Sequence, residues 1–106
     1  MSSVPEHWNT LSVSAMCANI GSEIHRALRD REKYPESAER AFERSLELID
    51  ASRSALHEFP ALKELSRARE LLVGAWLNSG ENETLLQELD AYFLPFATAA
   101  NKERNV

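Results

Sequence analysis

Apolar residues recur every three or four positions through most of the chain, which places them on one face of an α-helix. The pattern occupies four separate stretches, and Pro35, Pro60 and Gly80 lie between them. No stretch alternates apolar and polar residues as a half-buried strand does. The sequence therefore predicts an all-α protein, folded as an antiparallel up-down four-helix bundle.

The breaks between the apolar stretches predict where each helix begins and ends. We expect the first helix to run from about residue 9 to about residue 31, and the second to follow Pro35, which suits a first helical turn. The third helix follows Pro60 and ends near Gly80, a candidate C-terminal cap. Asn82 is a candidate N-cap of the fourth helix.

The apolar faces of the four helices predict the core. Pro95 falls within the fourth apolar stretch, where it either kinks the helix or starts a new turn. Each residue expected to be buried lies on its helix's apolar face; they are Met16, Ile20, Ile24, Phe42, Ile49, Leu65, Leu72, Leu89 and Phe93.

A length of 106 residues is that of one domain, so we expect a single helical-bundle domain over 1–106 with short flexible ends at about 1–7 and 102–106. The formal net charge of -5 disfavours a nucleic-acid partner, because it repels phosphate on average. Cys17 is the single cysteine, and no basic segment leads into a long apolar run. We therefore expect a cytoplasmic protein with no membrane span.

Residue groupings that carry known chemistry are missing from the sequence. Glu23 and His25 are two positions apart, so they point to different sides of a helix and do not form the Glu-x-x-His pattern of di-metal bundles. Cys17 lies on the apolar face, where a thiol is inert. There is no glycine-rich phosphate loop and no nucleophile motif. We expect no enzymatic activity, no metal and no cofactor.

The stretch "AMCANIGSEIHRAL" at residues 15–28 presents small side chains beside its apolar face. Small residues allow another helix to approach closely, so the predicted interface consists of Ala15, Ala18, Gly21 and Ser22. A polar row borders this face, and its expected partners lie on the third helix, so the whole row consists of Asn19, Glu23, Arg26, Glu64, Arg67 and Glu70. Either the row is a hydrogen-bonded network between helices or it is a binding site.

Two sets of basic residues are the material for an anion-binding face. Arg53 and His57 share a helical face four positions apart, and they form an alternative RNA site. The other basic residues are diluted by Asp and Glu, which is typical of solvated helix ends; they are Arg26, Arg29, Arg31, Lys33, Lys63, Arg67 and Arg69.

Five segments carry a resemblance to known proteins. "WNTLS", "ANIGSEIHRAL", "AFERSLELID", "KELSRARELL" and "YFLPFATAANKER" together resemble a family of small uncharacterised prokaryotic helical proteins over most of residues 8 to 104. That resemblance implies a compact helical unit and no particular chemistry. The architecture is also distantly similar to HEPN and rRNA-intervening-sequence four-helix proteins. HEPN RNases carry Arg and His separated by four to six residues, whereas three residues separate Arg53 from His57.

Three functions follow as hypotheses. The first is a non-enzymatic interaction module that forms a homodimer or docks on an unidentified protein partner, since helix one has more apolar and small surface than a single bundle covers. The alternative is a HEPN-like RNA-binding protein or RNase of the toxin-antitoxin or RNA-processing type. The third is a small-ligand carrier with a pocket among Trp76, Tyr92, Phe93 and Phe96.

Overall fold

Four α-helices make up the fold, as the computed structural model of residues 4–56, 59–78 and 81–104 shows. They are α1 (Val13–Asp30), α2 (Pro35–Ala55), α3 (Phe59–Leu77) and α4 (Glu83–Arg104). No strand occurs in these described ranges. The predicted all-α class with four helices is therefore confirmed.

Helix α1 begins later than its apolar pattern predicts. Residues Trp8–Thr10 form a separate 3₁₀ turn, and the Oγ of Ser12 accepts a hydrogen bond from the backbone N–H of Ala15 at 3.1 Å. Because a serine in this position satisfies one of the free N–H groups of the first turn, α1 begins at Val13. The prediction that the helix begins near residue 9 is therefore wrong by about one turn.

The other helices begin close to the proline and asparagine residues from which their starts were predicted. Pro35 occupies the first turn of α2, and Pro60 falls in the first turn of α3. Asn82 directly precedes α4, and its side-chain amide donates to the carbonyl of Asn78 at 3.0 Å. Gly80, the candidate cap, lies outside the described residues.

Helix α4 continues through Pro95 to Arg104. The predicted flexible segment at 102–106 is therefore helical as far as Arg104, while residues 105 and 106, like 1–3, lie outside the described part of the chain. The helix tolerates Pro95 because the residue is exposed, so water can reach the backbone carbonyl that its missing N–H would have bonded.

Paired residues show how the helices run relative to one another. The contacts between α1 and α4 proceed from Ser12 with Glu103 to His25 with Asp90, so residue numbers rise along α1 as they fall along α4. The contacts of α2 with α1 run from Asp30 with Ser37 to Glu23 with Arg44. Those of α2 with α3 run from Asp50 with Arg69 to Glu39 with Trp76. These neighbouring helices are therefore antiparallel.

The core lies where the four apolar faces meet. Every residue of the predicted core set is buried; the set is Met16, Ile20, Ile24, Phe42, Ile49, Leu65, Leu72, Leu89 and Phe93. The backbone of α1 approaches α2 and α4 closely, whereas α3 lies farther from its two neighbours. At Gly21 of α1, the missing side chain leaves room for α4 to approach closely.

Candidate functional site

A groove runs along the outer seam between α1 and α4. It consists of two hollows of about 250 and 310 Å³ that share Ala18, and we call it the α1/α4 groove. The hollows open to solvent side by side along the seam, so they form one elongated surface feature. The residues that line it include Ala15, Ala18, Ser22, His25, Arg26, Arg29, Asp90, Leu94, Ala97, Ala100 and Glu103.

The floor of the groove is low because the two helices are in close contact. A Cβ placed on Gly21 would lie 2.6 Å from the Cβ of Phe93, well inside van der Waals contact. Gly21 thus packs against α4 within the same chain, and this contact explains why a glycine stands in the middle of α1. Of the predicted interface residues, Ala15, Ala18 and Ser22 are the ones with side chains facing the groove.

Leu94 provides the main apolar surface on the rim of the groove. Its side chain is 71% exposed, and Ala97, one turn further along α4, is exposed as well. The core faces of α4 carry Leu86, Leu89 and Phe93, so Leu94 is apolar without contributing to the core. Exposed leucine beside small residues forms a knob next to a shallow depression.

One end of the groove is lined by His25, Arg26, Arg29 and Asp90. The Nδ1 of His25 lies 3.2 Å from both carboxylate oxygens of Asp90, which joins α1 to α4. Arg29 donates through its Nε to Asp30 at 3.0 Å. The guanidinium of Arg26 has a longer contact, 3.6 Å, with Glu23, and its side chain is 45% exposed. Arg26 is therefore the arginine of this end with the weakest partner.

The opposite end of the groove carries a carboxylate. Glu103 of α4 accepts a hydrogen bond from the hydroxyl of Ser12 at 2.6 Å, beside Ala15 and Ala100. This hydroxyl partner, unlike an arginine, does not itself neutralise the negative charge of Glu103. The two ends of the groove thus carry side chains of opposite charge, Arg26 at one end and Glu103 at the other.

The residues of the predicted polar row contact different helices. Glu23 is buried, and it contacts Arg44 of α2 at 3.5 Å in addition to Arg26. Asn19 donates to the carbonyl of Ala15 on its own helix at 2.8 Å. The expectation that this row pairs with α3 is wrong for Glu23, because the principal neighbours of α1 are α2 and α4.

The α3 members of that row lie on another surface. The hydroxyl of Tyr92 donates to Glu64 at 3.1 Å, and burial, followed by this carboxylate, raises the pKa of Tyr92. Arg67 shares a hollow of about 220 Å³ between α3 and α4 with Glu64 and Tyr92. Glu70 is exposed on α3. The structure therefore does not bring the six residues of the row together.

The alternative RNA site is described in part. Arg53 lies 3.5 Å from Asp50, and the same carboxylate receives two hydrogen bonds from Arg69, at 2.7 and 3.2 Å. His57 lies outside the described residues. In the part that is described, the arginines of this surface therefore share an acidic partner, which reduces the positive potential that a phosphate would meet.

The aromatic residues of the third hypothesis belong to two separate clusters. Trp76 stacks on Phe42 of α2 with ring centroids 4.7 Å apart, and its indole N–H donates to Glu39 at 3.0 Å. Tyr92, Phe93 and Phe96 contact one another on α4. Trp76, Phe93 and Tyr92 line three different hollows.

Cys17 is a buried free thiol in α1. Burial, with a smaller contribution from the charge of Glu64, raises the pKa of Cys17 to about 11, so its thiol is protonated at neutral pH. Across residues 4–56, 59–78 and 81–104, no three His, Cys, Asp or Glu side chains are placed to hold a metal ion. Nor does any described helix have the length and apolar character needed to cross a membrane.

Three features of the groove go beyond what sequence reasoning identified: the His25–Asp90 pair, the exposed Leu94 and the carboxylate of Glu103. The pattern of α4 contained one signal, since Leu94 is a large apolar residue that falls off the stripe of Leu86, Leu89 and Phe93. The other two features depend on the axial alignment of α1 with α4, which periodicity does not encode.

Comparison of the chain with protein-family models, with curated proteins and with solved structures finds no significant match.

Proposed function

We propose that the protein is a non-enzymatic interaction module that self-associates as a homodimer through the α1/α4 groove. The observation that carries this proposal is the exposed Leu94 beside a depression lined by Ala18 and Ala97. An apolar knob and an adjacent hollow of small residues on one surface can fit the same surface of a second copy. Such a self-complementary patch is what a two-fold interface requires.

Burial of this surface would stabilise a dimer through the hydrophobic effect. Leu94 leaves most of its side chain in water in the single chain, and transferring a leucine from water to an apolar contact contributes about 1.5–3 kcal/mol. The small side chains around Ala18 lose little conformational entropy when they are covered. The free thiol of Cys17 is normal in a reducing compartment, so we place this association in the cytoplasm.

The experiment measures molar mass by light scattering after size-exclusion chromatography. The wild-type chain should have about twice the 12.0 kDa mass of one copy. Leu94→Lys should give a single-chain mass with unchanged helicity, because the substitution puts a charge at the centre of the contact. Leu77→Lys is the matched control, since Leu77 is 73% exposed at the end of α3, away from the groove, and it should remain dimeric.

Two results would contradict the proposal. A wild-type chain that has the mass of one copy at every concentration tested does not self-associate. Dissociation by Leu77→Lys, with Leu94→Lys still dimeric, would place the interface on another surface.

A further inference from the structure

The two charged ends of the α1/α4 groove lie at similar distances from its centre. Arg26 is eight residues beyond Ala18 on α1, which corresponds to about 12 Å along the helix. The contacts of Ser12 with Glu103 and of Gly21 with Phe93 align the helices so that Ala18 is level with Phe96 and Ala97. Glu103 is therefore about 10 Å from the level of Ala18, in the direction opposite to Arg26.

We infer that the second copy docks antiparallel on the groove, with a two-fold axis close to Ala18 that pairs Arg26 with the partner's Glu103. This inference rests on the proposed homodimer and specifies its geometry. A two-fold rotation exchanges the two ends of the groove, so each copy offers a cation where the other offers an anion. The interface then contains two symmetry-related ion pairs that flank a central apolar contact.

The same two-fold axis also determines which surface of the partner Leu94 contacts. Leu94 is level with the residues between Ile20 and Gly21 of α1, about 4 Å from the level of Ala18 on the Arg26 side. The rotation brings it to a similar distance on the other side, over the hollow lined by Ala15, Ala18 and Ala100. A single two-fold rotation thus places Leu94 over a hollow and places opposite charges together. This match favours a second copy over an unrelated partner.

Arg26 and Glu103 are available for such a pair. The side chain of Arg26 is 45% exposed and its contact with Glu23 is 3.6 Å long, while Glu23 also contacts Arg44. Glu103 is exposed, and it accepts a hydrogen bond from the neutral hydroxyl of Ser12. Arg29 is less suited, because it is held by Asp30 at 3.0 Å.

Charge reversal tests the pairing through the dimer dissociation constant, measured by sedimentation at low ionic strength. Arg26→Glu and Glu103→Arg should each weaken the dimer by about tenfold or more, because like charges then meet across the interface. The double variant should return to within about threefold of wild type, since it restores opposite charges. Arg40→Glu on the exposed face of α2 has the same net charge as Arg26→Glu and should leave the constant unchanged.

Disulfide formation tests the position of the axis. Ala97→Cys places a thiol within about 2 Å of the level of the axis, so the two copies can be joined by oxidation. Ala91→Cys, exposed on the same helix, places its thiol about 8 Å from the axis level and should not be joined. The wild-type chain, in which Cys17 is buried, controls for the native thiol.

The outcomes separate this geometry from the proposed function. A dimeric wild type with unaffected single charge variants, or without rescue in the double variant, overturns the pairing and leaves the homodimer in place. Equal cross-linking of Ala97→Cys and Ala91→Cys overturns the position of the axis. A wild type with the mass of one copy overturns the homodimer itself.

Discussion

Phe93 of α4 occupies the space into which a side chain on Gly21 of α1 would extend, since a Cβ at position 21 would lie 2.6 Å from the Cβ of Phe93. Phe93 is buried in the core and fixed by its ring contacts with Tyr92 and Phe96, so it cannot withdraw easily. The contact holds α1 and α4 together at the floor of the groove. Glycine at this position is therefore required inside the bundle.

Substitution of two glycines should have opposite effects on stability. Gly21→Ala should destabilise the protein by about 1–3 kcal/mol, because the added methyl group forces α1 and α4 apart. Gly74→Ala in α3 should stabilise it by about 0.5–1 kcal/mol, because nothing lies within 4 Å of the new Cβ and alanine is the better helix former. Urea unfolding followed by circular dichroism measures both; equal effects of the two substitutions would contradict the close contact.

The core residue Phe42 should contribute far more to the free energy of unfolding than an exposed aromatic residue does. Its ring stacks on Trp76 with an interplanar angle of 6°, so Phe42→Ala removes both packing and stacking and should cost about 3–5 kcal/mol. Tyr34→Ala is the control, because Tyr34 is 63% exposed and should change stability by less than about 0.5 kcal/mol. A loss under about 1 kcal/mol for Phe42→Ala would show that its face of α2 is not in the core.

Periodicity in the sequence was sufficient to predict which face of each helix is buried, and Ile20, Ile49 and Phe93 illustrate this, since each is almost inaccessible in the bundle. It was not sufficient to predict which neighbour meets a given polar residue. Glu23 pairs with Arg44 because α2 lies beside that face of α1, a relationship set by helix order around the bundle rather than by spacing along one helix.

The axial alignment of one helix against another is a second property that the apolar periodicity of each helix does not predict. The contacts of His25 with Asp90 and of Ser12 with Glu103 join residues 65 and 91 positions apart. A shift of α4 by one turn would preserve its apolar stripe and yet change both pairs. The close fit of Gly21 against Phe93 selects one alignment, and so determines which side chains line the groove.

The carboxylate of Asp30 should make stability depend on pH in the acid range. A hydrogen bond from Arg29, helped by one from Ser37, holds the pKa of Asp30 below its ordinary value. A lowered folded-state pKa contributes stability that is fully present above the unfolded-state pKa of about 4 and is lost as the pH falls through the folded-state pKa. Asp30→Asn should therefore be less stable than wild type at pH 7, and the difference should shrink as the pH falls below about 4.

Chemical unfolding at several pH values measures this difference. Glu36→Gln, on the exposed first turn of α2, is a control that removes one negative charge without breaking the Asp30 contacts. A difference between wild type and Asp30→Asn that stays constant from pH 7 to about pH 3 would show that the Arg29 and Ser37 contacts do not favour the charged carboxylate.

The thiol of Cys17 should be unreactive in the native protein. It is buried, and a pKa of about 11 leaves very little thiolate at pH 8. A disulfide reagent that releases a coloured thiol should react slowly with the folded chain and should reach one equivalent rapidly after unfolding in guanidinium chloride. Fast stoichiometric reaction of the folded protein would contradict the burial of α1 against the core.

RNA should not bind the surface around Arg53. Its guanidinium and that of Arg69 both contact Asp50, and the chain has a formal net charge of -5, so counterion release on binding phosphate would be small. We expect no salt-dependent affinity for mixed-sequence RNA in fluorescence anisotropy between 50 and 200 mM salt, a range over which a protein making many phosphate contacts loses about 10³–10⁵ in affinity. Arg53→Ala should therefore leave the signal unchanged. An affinity that falls steeply with salt and is weakened by Arg53→Ala, or cleavage of RNA that His57→Ala abolishes, would instead assign the protein an RNA-directed function, because neither result can arise from a groove on the seam of α1 and α4.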